Sequence, residues 1–272
     1  MKSTPNVWLV LTFLLIACQP KPIQYNDPVP DHESFALASK ILNETRTLNV
    51  WLPPQYKSGD AKYPVVYMPD GGIVGEDFPH IANTLAELIS AGTIQPVILV
   101  GIQNTNRKRD LTGSTVVAKD KEWIPENGGS DAFRRFIRDE LFMEVNKRYR
   151  TTVTRTIVGE SLAGLFVTET FLLAPNMFNN YIAIDPSLWW NDQYLVKNAG
   201  RLLATGDMNG RKFWFAGSST KDIQEATSKL ADVLTKVVRP GLHWKYSPEP
   251  NEKHNTIFRA VKQKAFLWML GK

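Results

Sequence analysis

Short apolar β-type runs alternate with helical stretches along most of the chain. Runs such as "VVYM", "VILV", "TIVG", "YIAI" and "FWFA" are bounded by turn residues, and helical apolar spacing follows most of them. Strands that alternate with helices predict a mostly parallel sheet covered by helices on both faces. Two further strands, "SFALASKIL" and "TRTLNVWLP", precede this region, whereas residues 104–128 have no period and predict a long loop. With no internal repeat or change in composition, the sequence predicts a single α/β domain.

The composition is that of an ordinary folded domain. Hydrophobic residues make up 43% of the 272 residues and charged residues 22%, so a sizeable core is expected. The formal net charge of +5 comes from scattered Lys and Arg residues that are not interleaved with aromatic ones. We therefore expect no nucleic-acid partner.

A candidate catalytic serine lies in the stretch "TIVGESLAG", residues 156–164. A strand, a sharp turn ending at Ser161 and an immediate helix are the context of a nucleophile elbow, in which the serine hydroxyl projects above the sheet edge. The usual pattern is Gly-x-Ser-x-Gly, but here Ala163 holds the fifth position and Gly164 follows it. By itself the motif leaves a plain strand-to-helix turn with a capping serine as the alternative.

The order of residues along the chain points to His254 as a general base. An α/β-hydrolase presents its serine first, then an acid, then a histidine. Of the four histidines, His254 lies after a late strand in the polar loop "SPEPNEKHNTIF", while His243 falls within a predicted strand and His32 and His80 precede the serine. His254 would take the proton of Ser161 and return it to the leaving group. A solvent-exposed loop histidine is the alternative.

The acid is predicted at the end of the strand "KFWFAG". Asp222 follows this strand and would hold the His254 imidazole in the productive tautomer. Glu225 lies one helical turn further and is the rival candidate. Either carboxylate could instead favour a helix start, and a serine–histidine dyad without an acid also stays open.

Two backbone amides are predicted to form an oxyanion hole. One is the N–H of Leu162, directly after the serine, and the other lies in the "DGG" turn that follows the strand "VVYMP" and includes Gly72. A Gly-Gly turn lets the backbone approach a substrate closely, although a simple tight turn has the same sequence.

Candidate substrate-binding residues are Trp189 and Arg107. Trp189 and Trp190 together would offer an aromatic platform for aryl or catechol groups, unless they pack in the core. Arg107 and Arg109 would meet an anionic substrate, although Arg109 beside Asp110 is also suited to a loop-fixing ion pair.

The chain resembles the Putative Esterase family, which includes ferric-siderophore esterases, esterase D and mycolyl transferases. The resemblance extends from about Ser34 to the C-terminus and rests on "VVYMPDGG", "NRKRDLT", "RTIVGESLAGLF", "DPSLWW" and "NEKHNTIF". It implies an α/β-hydrolase fold with Ser161 as nucleophile, His254 as base, and Gly72 with Leu162 as oxyanion donors. Two residues depart from the family pattern, since Glu160 stands where His is usual and Ala163 where Gly is usual.

These features predict a serine esterase that acts on a small-molecule ester through an acyl-enzyme. The sequence has no clustered His and Cys ligands for a metal, no P-loop and no dinucleotide fingerprint, so we expect no metal and no cofactor. The alternatives are an acyltransferase or a polysaccharide deacylase on the same scaffold, and a binding lipoprotein without catalysis.

The first residues predict export and a lipid anchor. Lys2 precedes the apolar run "VWLVLTFLLIA", which is short for a membrane span and has the layout of a secretory signal. "LIAC" resembles the lipobox of bacterial lipoproteins, and its Cys18 is the only cysteine of the chain. By resemblance to known sorting rules, Gln19 after it indicates the outer membrane. We therefore expect a signal peptide at 1–17, a tether at 18–32, an esterase domain at 33–272, and a lipoprotein of the cell envelope held to the membrane through Cys18.

Overall fold

The computed structural model describes residues 26–272, and a sheet of eight strands lies at the centre of this region. The strands follow one another across the sheet in the order β1-β2-β4-β3-β5-β6-β7-β8. β1 pairs with β2 and β2 with β4 in antiparallel fashion, and all other neighbours are parallel, which confirms the predicted mostly parallel sheet. The strands are β1 (Glu33–Ser39), β2 (Glu44–Trp51), β3 (Tyr63–Pro69), β4 (Ile98–Ile102), β5 (Thr151–Glu160), β6 (Asn180–Ile184), β7 (Arg211–Ser218) and β8 (Leu242–Glu249).

Helices cover both faces of this sheet. They are α1 (Phe78–Ser90), α2 (Arg107–Asp110), α3 (Ala118–Trp123), α4 (Ser130–Phe136), α5 (Phe142–Arg148), α6 (Leu162–Leu173), α7 (Trp190–Thr205), α8 (Lys221–Lys236) and α9 (Ile257–Leu270). A short 3₁₀ turn spans Pro54–Ser58, and a π-helical turn at Ile137–Leu141 joins α4 to α5. In the described part of the chain, none of the helices combines the length and the apolar character needed to cross a bilayer.

The core is divided into two layers by the sheet, and β5 contributes to both. Ile157 packs into the apolar cluster on one face, and its neighbour Val158 packs into the cluster on the other. This arrangement follows from the period of two along a strand, which sends successive side chains to opposite faces. Only the end of β5, residues 156–159, is fully buried, and Glu160 follows it at the carboxyl edge of the sheet.

Residues 104–128 contain two short helices that the sequence did not predict. α2 is capped by Asn106, whose side-chain oxygen accepts the N–H of Arg109 at 3.2 Å. Within α3, the buried Asp120 carboxylate accepts the Asn191 N–H at 2.7 Å and the Thr115 hydroxyl at 3.3 Å. Helices this short carry no readable apolar period, so polar contacts with other segments define them.

The last residues of the predicted tether lie against the domain. Asp27 forms an ion pair with Arg259 of α9, and the carbonyl of Pro28 accepts a hydrogen bond from Asn83 of α1 at 2.8 Å. The His32 ring meets the Phe78 ring edge-on at 5.8 Å. Residues 26–32 therefore follow the surface of the domain. The predicted signal peptide, Cys18 and the first part of the predicted tether lie outside the described residues.

Candidate active site

Ser161 stands on the sharp turn between β5 and α6. Its backbone angles are φ 59° and ψ −119°, a conformation that costs a residue with a side chain on the order of 1–3 kcal/mol. Hydrogen bonds hold the turn, since the Ser161 N–H donates to the Ile184 carbonyl at 3.1 Å and the Ser161 carbonyl accepts the Leu165 N–H at 2.9 Å. This is the geometry of a nucleophile elbow.

Two glycines explain why Ala163 is tolerated in the elbow. A Cβ on Gly159 would come within 2.7 Å of the Ala163 Cβ, so Gly159 provides the space that Ala163 fills. A Cβ on Gly164 would lie 2.9 Å from the Ile184 carbonyl oxygen and 3.1 Å from the Pro186 Cα. The close approach of α6 to the end of β6 therefore depends on Gly164, one position later than in the usual motif.

A chain of hydrogen bonds joins Ser161 to a buried carboxylate. The Ser161 hydroxyl lies 3.0 Å from Nε2 of His254, so the structure brings these two predicted side chains together. On the other side of the ring, Nδ1 of His254 lies 2.6 Å from Oδ2 of Asp185. Asp185 is fully buried and also accepts the Ser218 N–H at 2.5 Å and the Ser218 hydroxyl at 2.9 Å. Because that carboxylate accepts, the Nδ1–H of His254 donates, and Nε2 is left to accept the serine proton.

This arrangement corrects the prediction of which acid is the partner of His254. Asp222 lies exposed in the first turn of α8, Glu225 lies exposed further along the helix, and neither is a partner of His254. Asp185 takes the position instead, at the carboxyl end of β6, which pairs directly with β5. β7, after which the acid was predicted, supplies Ser218 as the residue that fixes Asp185. The prediction of Asp222 was wrong because a carboxylate after β6 and one after β7 look alike in the sequence.

Burial and neighbouring carboxylates set the protonation of His254. Burial alone lowers the pKa of His254, but the hydrogen bond to Asp185 and the charges of Glu160 and Asp185 outweigh it, so the pKa is raised above its usual value. Glu160 Oε1 lies 3.6 Å from His254 Nδ1. Burial raises the pKa of Glu160 to about 8, although the positive charge of His254 acts in the opposite direction.

The two predicted oxyanion donors differ in their surroundings. Leu162 is the first residue of α6, so its N–H lies at a helix N-terminus, where amides have no partner within the helix. The Gly72 N–H already donates to Oε2 of Glu76 at 2.6 Å, and the Asn104 N–H approaches the same carboxylate at 3.3 Å. Burial raises the pKa of Glu76. For Gly72 to serve as an oxyanion donor, the Glu76 side chain has to move away.

Arg107 and Arg109 have different roles in the structure. Arg107 binds both oxygens of Asp70 through Nε and Nη2, each at 2.7 Å, and its charge acts on Glu160 beside the serine. Arg109 pairs with Glu44 and with Asp110 at 2.7 Å, so it fixes the loop. Because Asp70 already occupies these donors, anion binding by Arg107 stays a prediction.

Trp189 and Trp190 follow Asp185 on the same segment. Their burial and their contacts differ. Trp190 is buried and its Nε1–H donates to the Gly113 carbonyl at 3.0 Å, so it is a packing residue. Trp189 is only partly buried, and its ring lies 5.2 Å from the Trp123 ring. The ammonium group of Lys108 lies 4.6 Å from the centre of the Trp123 ring. Trp189 and Trp123 thus form an aromatic surface with a cation beside it.

A further hydroxyl lies close to the serine. Ser187 Oγ is 3.5 Å from Ser161 Oγ, and the Ser187 N–H donates to the Ser161 carbonyl at 3.1 Å. This contact ties the segment after β6 to the elbow, and thereby places Asp185 and Trp189 relative to Ser161.

Between residues 26 and 272 no three His, Cys, Asp or Glu side chains come together as metal ligands.

The family described as Putative esterase matches residues 39–239, most of the chain. The chain belongs to this family. It is 30% identical over 198 residues to the ferri-bacillibactin esterase BesA of Bacillus subtilis, covering 67% of this chain and 68% of that protein. It is 27% identical over 199 residues to a siderophore triacetylfusarinine C esterase of Aspergillus fumigatus, covering 69% of this chain and 65% of that protein.

Solved structures agree with this assignment. An IroE-like serine hydrolase from Shewanella oneidensis superposes with a TM-score of 0.81 at 28% identity, covering 88% of this chain and 79% of that one. The BES protein of Bacillus cereus has the same fold, with a TM-score of 0.78 at 22% identity over 92% of this chain and the whole of that one. The fold is thus the predicted α/β-hydrolase fold, and the chain is an esterase, an enzyme that hydrolyses carboxylic esters.

Sequence reasoning missed two groups of the site. Asp185 ends the apolar run "YIAI" as Ser161 ends "TIVGE", and a polar residue at the end of each of two neighbouring strands was the available signal. Glu76 gave no signal, because its contact with Gly72 depends on the path of the loop after β3.

Proposed function

We propose that this esterase works through a covalent acyl-enzyme on Ser161 and acts on siderophore-type esters. The observation that supports the mechanism is the unbroken line of contacts from the Ser161 hydroxyl through both nitrogens of His254 to the buried Asp185. A serine hydroxyl is a weak nucleophile until an adjacent base takes its proton, and that base needs a partner to fix its tautomer. His254 supplies the base, and Asp185 supplies the partner.

Acylation begins when Ser161 Oγ attacks the ester carbonyl carbon and its proton passes to Nε2 of His254. The imidazolium ion that forms is stabilised by the Asp185 carboxylate. The Leu162 N–H, at the positive end of the α6 dipole, stabilises the negative carbonyl oxygen of the tetrahedral intermediate. The intermediate collapses by breaking the bond to the alcohol oxygen, which takes the proton from His254 and leaves.

Deacylation repeats these steps with water as the nucleophile. A water molecule gives its proton to Nε2 of His254 while its oxygen attacks the acyl carbonyl carbon. The second intermediate expels Ser161 Oγ, which recovers the proton from His254. The carboxylic acid is released, and the free enzyme is restored.

The substrate class is supported by the relatives and by the surroundings of the serine. The Bacillus subtilis relative is named as an esterase of ferri-bacillibactin, and the Aspergillus fumigatus relative as an esterase of the siderophore triacetylfusarinine C. In this chain Trp189 and Trp123 offer an aromatic surface, and the ammonium group of Lys108 lies over the Trp123 ring. Such a surface suits a ligand that is both aromatic and anionic, because ring faces stack and the cation offsets its charge.

A fluorophosphonate probe tests the mechanism directly. The probe should label the wild-type domain and should not label Ser161→Ala. Ser187→Ala is the matched control, since it removes the hydroxyl 3.5 Å away and should retain labelling. A folded wild type that stays unlabelled would contradict the proposal. A hydrolysis panel of tri-catechol siderophores, hydroxamate siderophores, short-chain aryl esters and feruloyl sugars then tests the substrate class, and preferential cleavage of a feruloyl sugar would contradict it.

We further propose that the mature enzyme is a lipoprotein of the cell envelope, acylated on Cys18. The support is the sequence alone, namely the apolar run, the "LIAC" stretch and the single cysteine. Several acyl chains on one residue give a durable anchor, whereas a single chain gives marginal binding. Mass spectrometry of membrane-extracted protein should find an N-terminal peptide that begins at Cys18 with added lipid mass. The same peptide without that mass would contradict the anchor.

A further inference from the structure

Glu160 and Ser161 are consecutive residues, yet both face His254. β5 ends at Glu160, and the elbow turns immediately afterwards. The serine therefore meets Nε2 of the imidazole at 3.0 Å, while the Glu160 carboxylate lies 3.6 Å from Nδ1 on the opposite side of the ring. Nδ1 is the atom that also donates to Asp185 at 2.6 Å. His254 thus has two carboxyl groups within reach of the same nitrogen.

The two carboxyl groups have different surroundings. Asp185 is fully buried and is held by both the amide and the hydroxyl of Ser218. The Glu160 side chain is 16% exposed and accepts no hydrogen bond within residues 26–272. It lies in a recess of about 230 Å³ lined also by Asp77, His80 and Arg259. Glu160 is therefore held by fewer contacts than Asp185.

The other charged groups near Glu160 already have partners. Arg107, from α2, forms a two-point ion pair with Asp70. Arg259, from α9, is paired with Asp27. Asp77, at the start of α1, accepts a hydrogen bond from His80 at 2.9 Å, and its negative charge opposes the ionisation of Glu160, as does that of Asp70. His254, in contrast, lies within ion-pair distance of Glu160, at 3.6 Å.

We propose that Glu160 is a positioning residue, a second carboxyl partner that supports the His254 imidazolium and takes over Nδ1 when Asp185 is removed. This inference rests on the proposed function only for its effect on turnover, because the pairing with His254 is a property of the free protein. A shift of a few tenths of an ångström to an ångström in the Glu160 side chain brings Oε1 from 3.6 Å to hydrogen-bond distance. Glu160, which departs from the family pattern, thus has a role beside the catalytic histidine.

The protonation of Glu160 makes this support depend on pH. Its raised pKa, about 8, leaves the carboxyl largely neutral at pH 7 in the resting enzyme and ionised above pH 8. An ionised Glu160 favours the positive imidazolium, so its removal lowers the pKa of His254. The two groups share protons closely enough to titrate as a pair. The contribution of Glu160 to catalysis therefore grows as the pH rises from about 7 to about 9.

The first test is the titration of the His254 ring by NMR in the wild-type protein and in Glu160→Gln. The substitution keeps the shape and removes the charge, so the pKa of His254 should be lower in Glu160→Gln than in the wild type. Asp77→Asn is the matched control, since it removes a carboxylate from the same recess without touching His254. Identical titrations in wild type and Glu160→Gln, or an equal shift in Asp77→Asn, would overturn the proposal.

The second test uses the pH profile of kcat/KM for a soluble aryl ester. Asp185→Ala should keep a residual activity that rises between about pH 7 and pH 9, as Glu160 ionises. Asp185→Ala/Glu160→Gln should lose that rise and fall at least tenfold below Asp185→Ala. Asp185→Ala/Glu160→Asp, one methylene shorter, should restore part of it. If the double variant with Gln matches Asp185→Ala at every pH, Glu160 has no such role. An inactive wild type with coupled titrations would instead refute the proposed esterase mechanism alone.

Discussion

Ser218 holds both oxygens of Asp185. Its backbone N–H donates to Oδ1 at 2.5 Å and its hydroxyl donates to Oδ2 at 2.9 Å, so the end of β7 fixes the carboxylate that stands at the end of β6. The oxygen that receives the hydroxyl is the one that also receives Nδ1–H of His254. The position of the histidine therefore depends on Ser218 through Asp185.

Ser218→Ala should lower kcat/KM for ester hydrolysis about tenfold. The change removes one hydrogen bond to a charged group, worth about 1.5–3 kcal/mol, while the backbone N–H of residue 218 still holds Oδ1. Ser219→Ala is the matched control, because its hydroxyl donates to the Glu252 carbonyl at 2.8 Å and not to Asp185. Steady-state kinetics of both variants check this, and equal losses would show that the Ser218 hydroxyl has no special role.

Asp185→Asn should reduce kcat by about 10⁴-fold with little change in thermal stability. An amide at this position offers an N–H to Nδ1 and so favours the tautomer in which Nε2 cannot accept the serine proton. Asp222→Asn, in the exposed first turn of α8, should behave like the wild type. Single-turnover kinetics of the two variants decide between the acids, and a severe loss in Asp222→Asn alone would return the role to that residue.

The sequence predicted those features of the fold and site that depend on local pattern and chain order. The parallel strands could be predicted because their apolar runs are buried on both faces. Ser161 and His254 could be predicted because the motif and the order of the residues are visible in the sequence itself. Asp185 could not be assigned, since its role depends on which strand lies beside β5. The contact between Glu160 and His254 joins residues far apart in the chain and depends on where the loop after β8 returns. Pairings of this kind are set by tertiary structure, and local sequence patterns carry no information about them.

Gly164→Ala should destabilise the protein by about 2 kcal/mol and lower its activity. The added methyl group would lie 2.9 Å from the Ile184 carbonyl oxygen and 3.1 Å from the Pro186 Cα, and backbone atoms there cannot give way cheaply. Moving Pro186 also displaces Asp185. The helical Gly200 is the control, since a Cβ there meets Val233 at an ordinary 3.8 Å, and Gly200→Ala should stabilise the protein by up to about 1 kcal/mol. Urea unfolding of both variants checks the prediction, and a Gly164→Ala variant as stable as the wild type would contradict it.

The ion pair between Asp27 and Arg259 should make the stability of the protein depend on acidic pH. The hydrogen bond from Arg259 holds the pKa of Asp27 below its ordinary value, although burial acts in the opposite direction. A carboxyl whose pKa is lowered on folding contributes stability above its unfolded pKa of about 3.9, and this contribution is lost as the pH falls through the lower folded value. Asp27→Asn should therefore reduce the free energy of unfolding at pH 7, by at most about 1 kcal/mol because both side chains are partly exposed.

The difference between wild type and Asp27→Asn should shrink to nothing once the pH lies well below the folded pKa of Asp27, where the wild-type carboxyl is also neutral. Asp31→Asn is the control, because Asp31 lies 3.7 Å from Lys57 with both side chains almost fully exposed. That variant should match the wild type throughout, since an exposed pair contributes little. Chemical denaturation over a pH series measures all three proteins. The contradicting result is a loss of unfolding free energy in Asp27→Asn that persists unchanged at acidic pH. Residues 26–32 would then be held to α9 by packing, and the charge of Asp27 would not be what fixes this segment beside the recess containing Glu160.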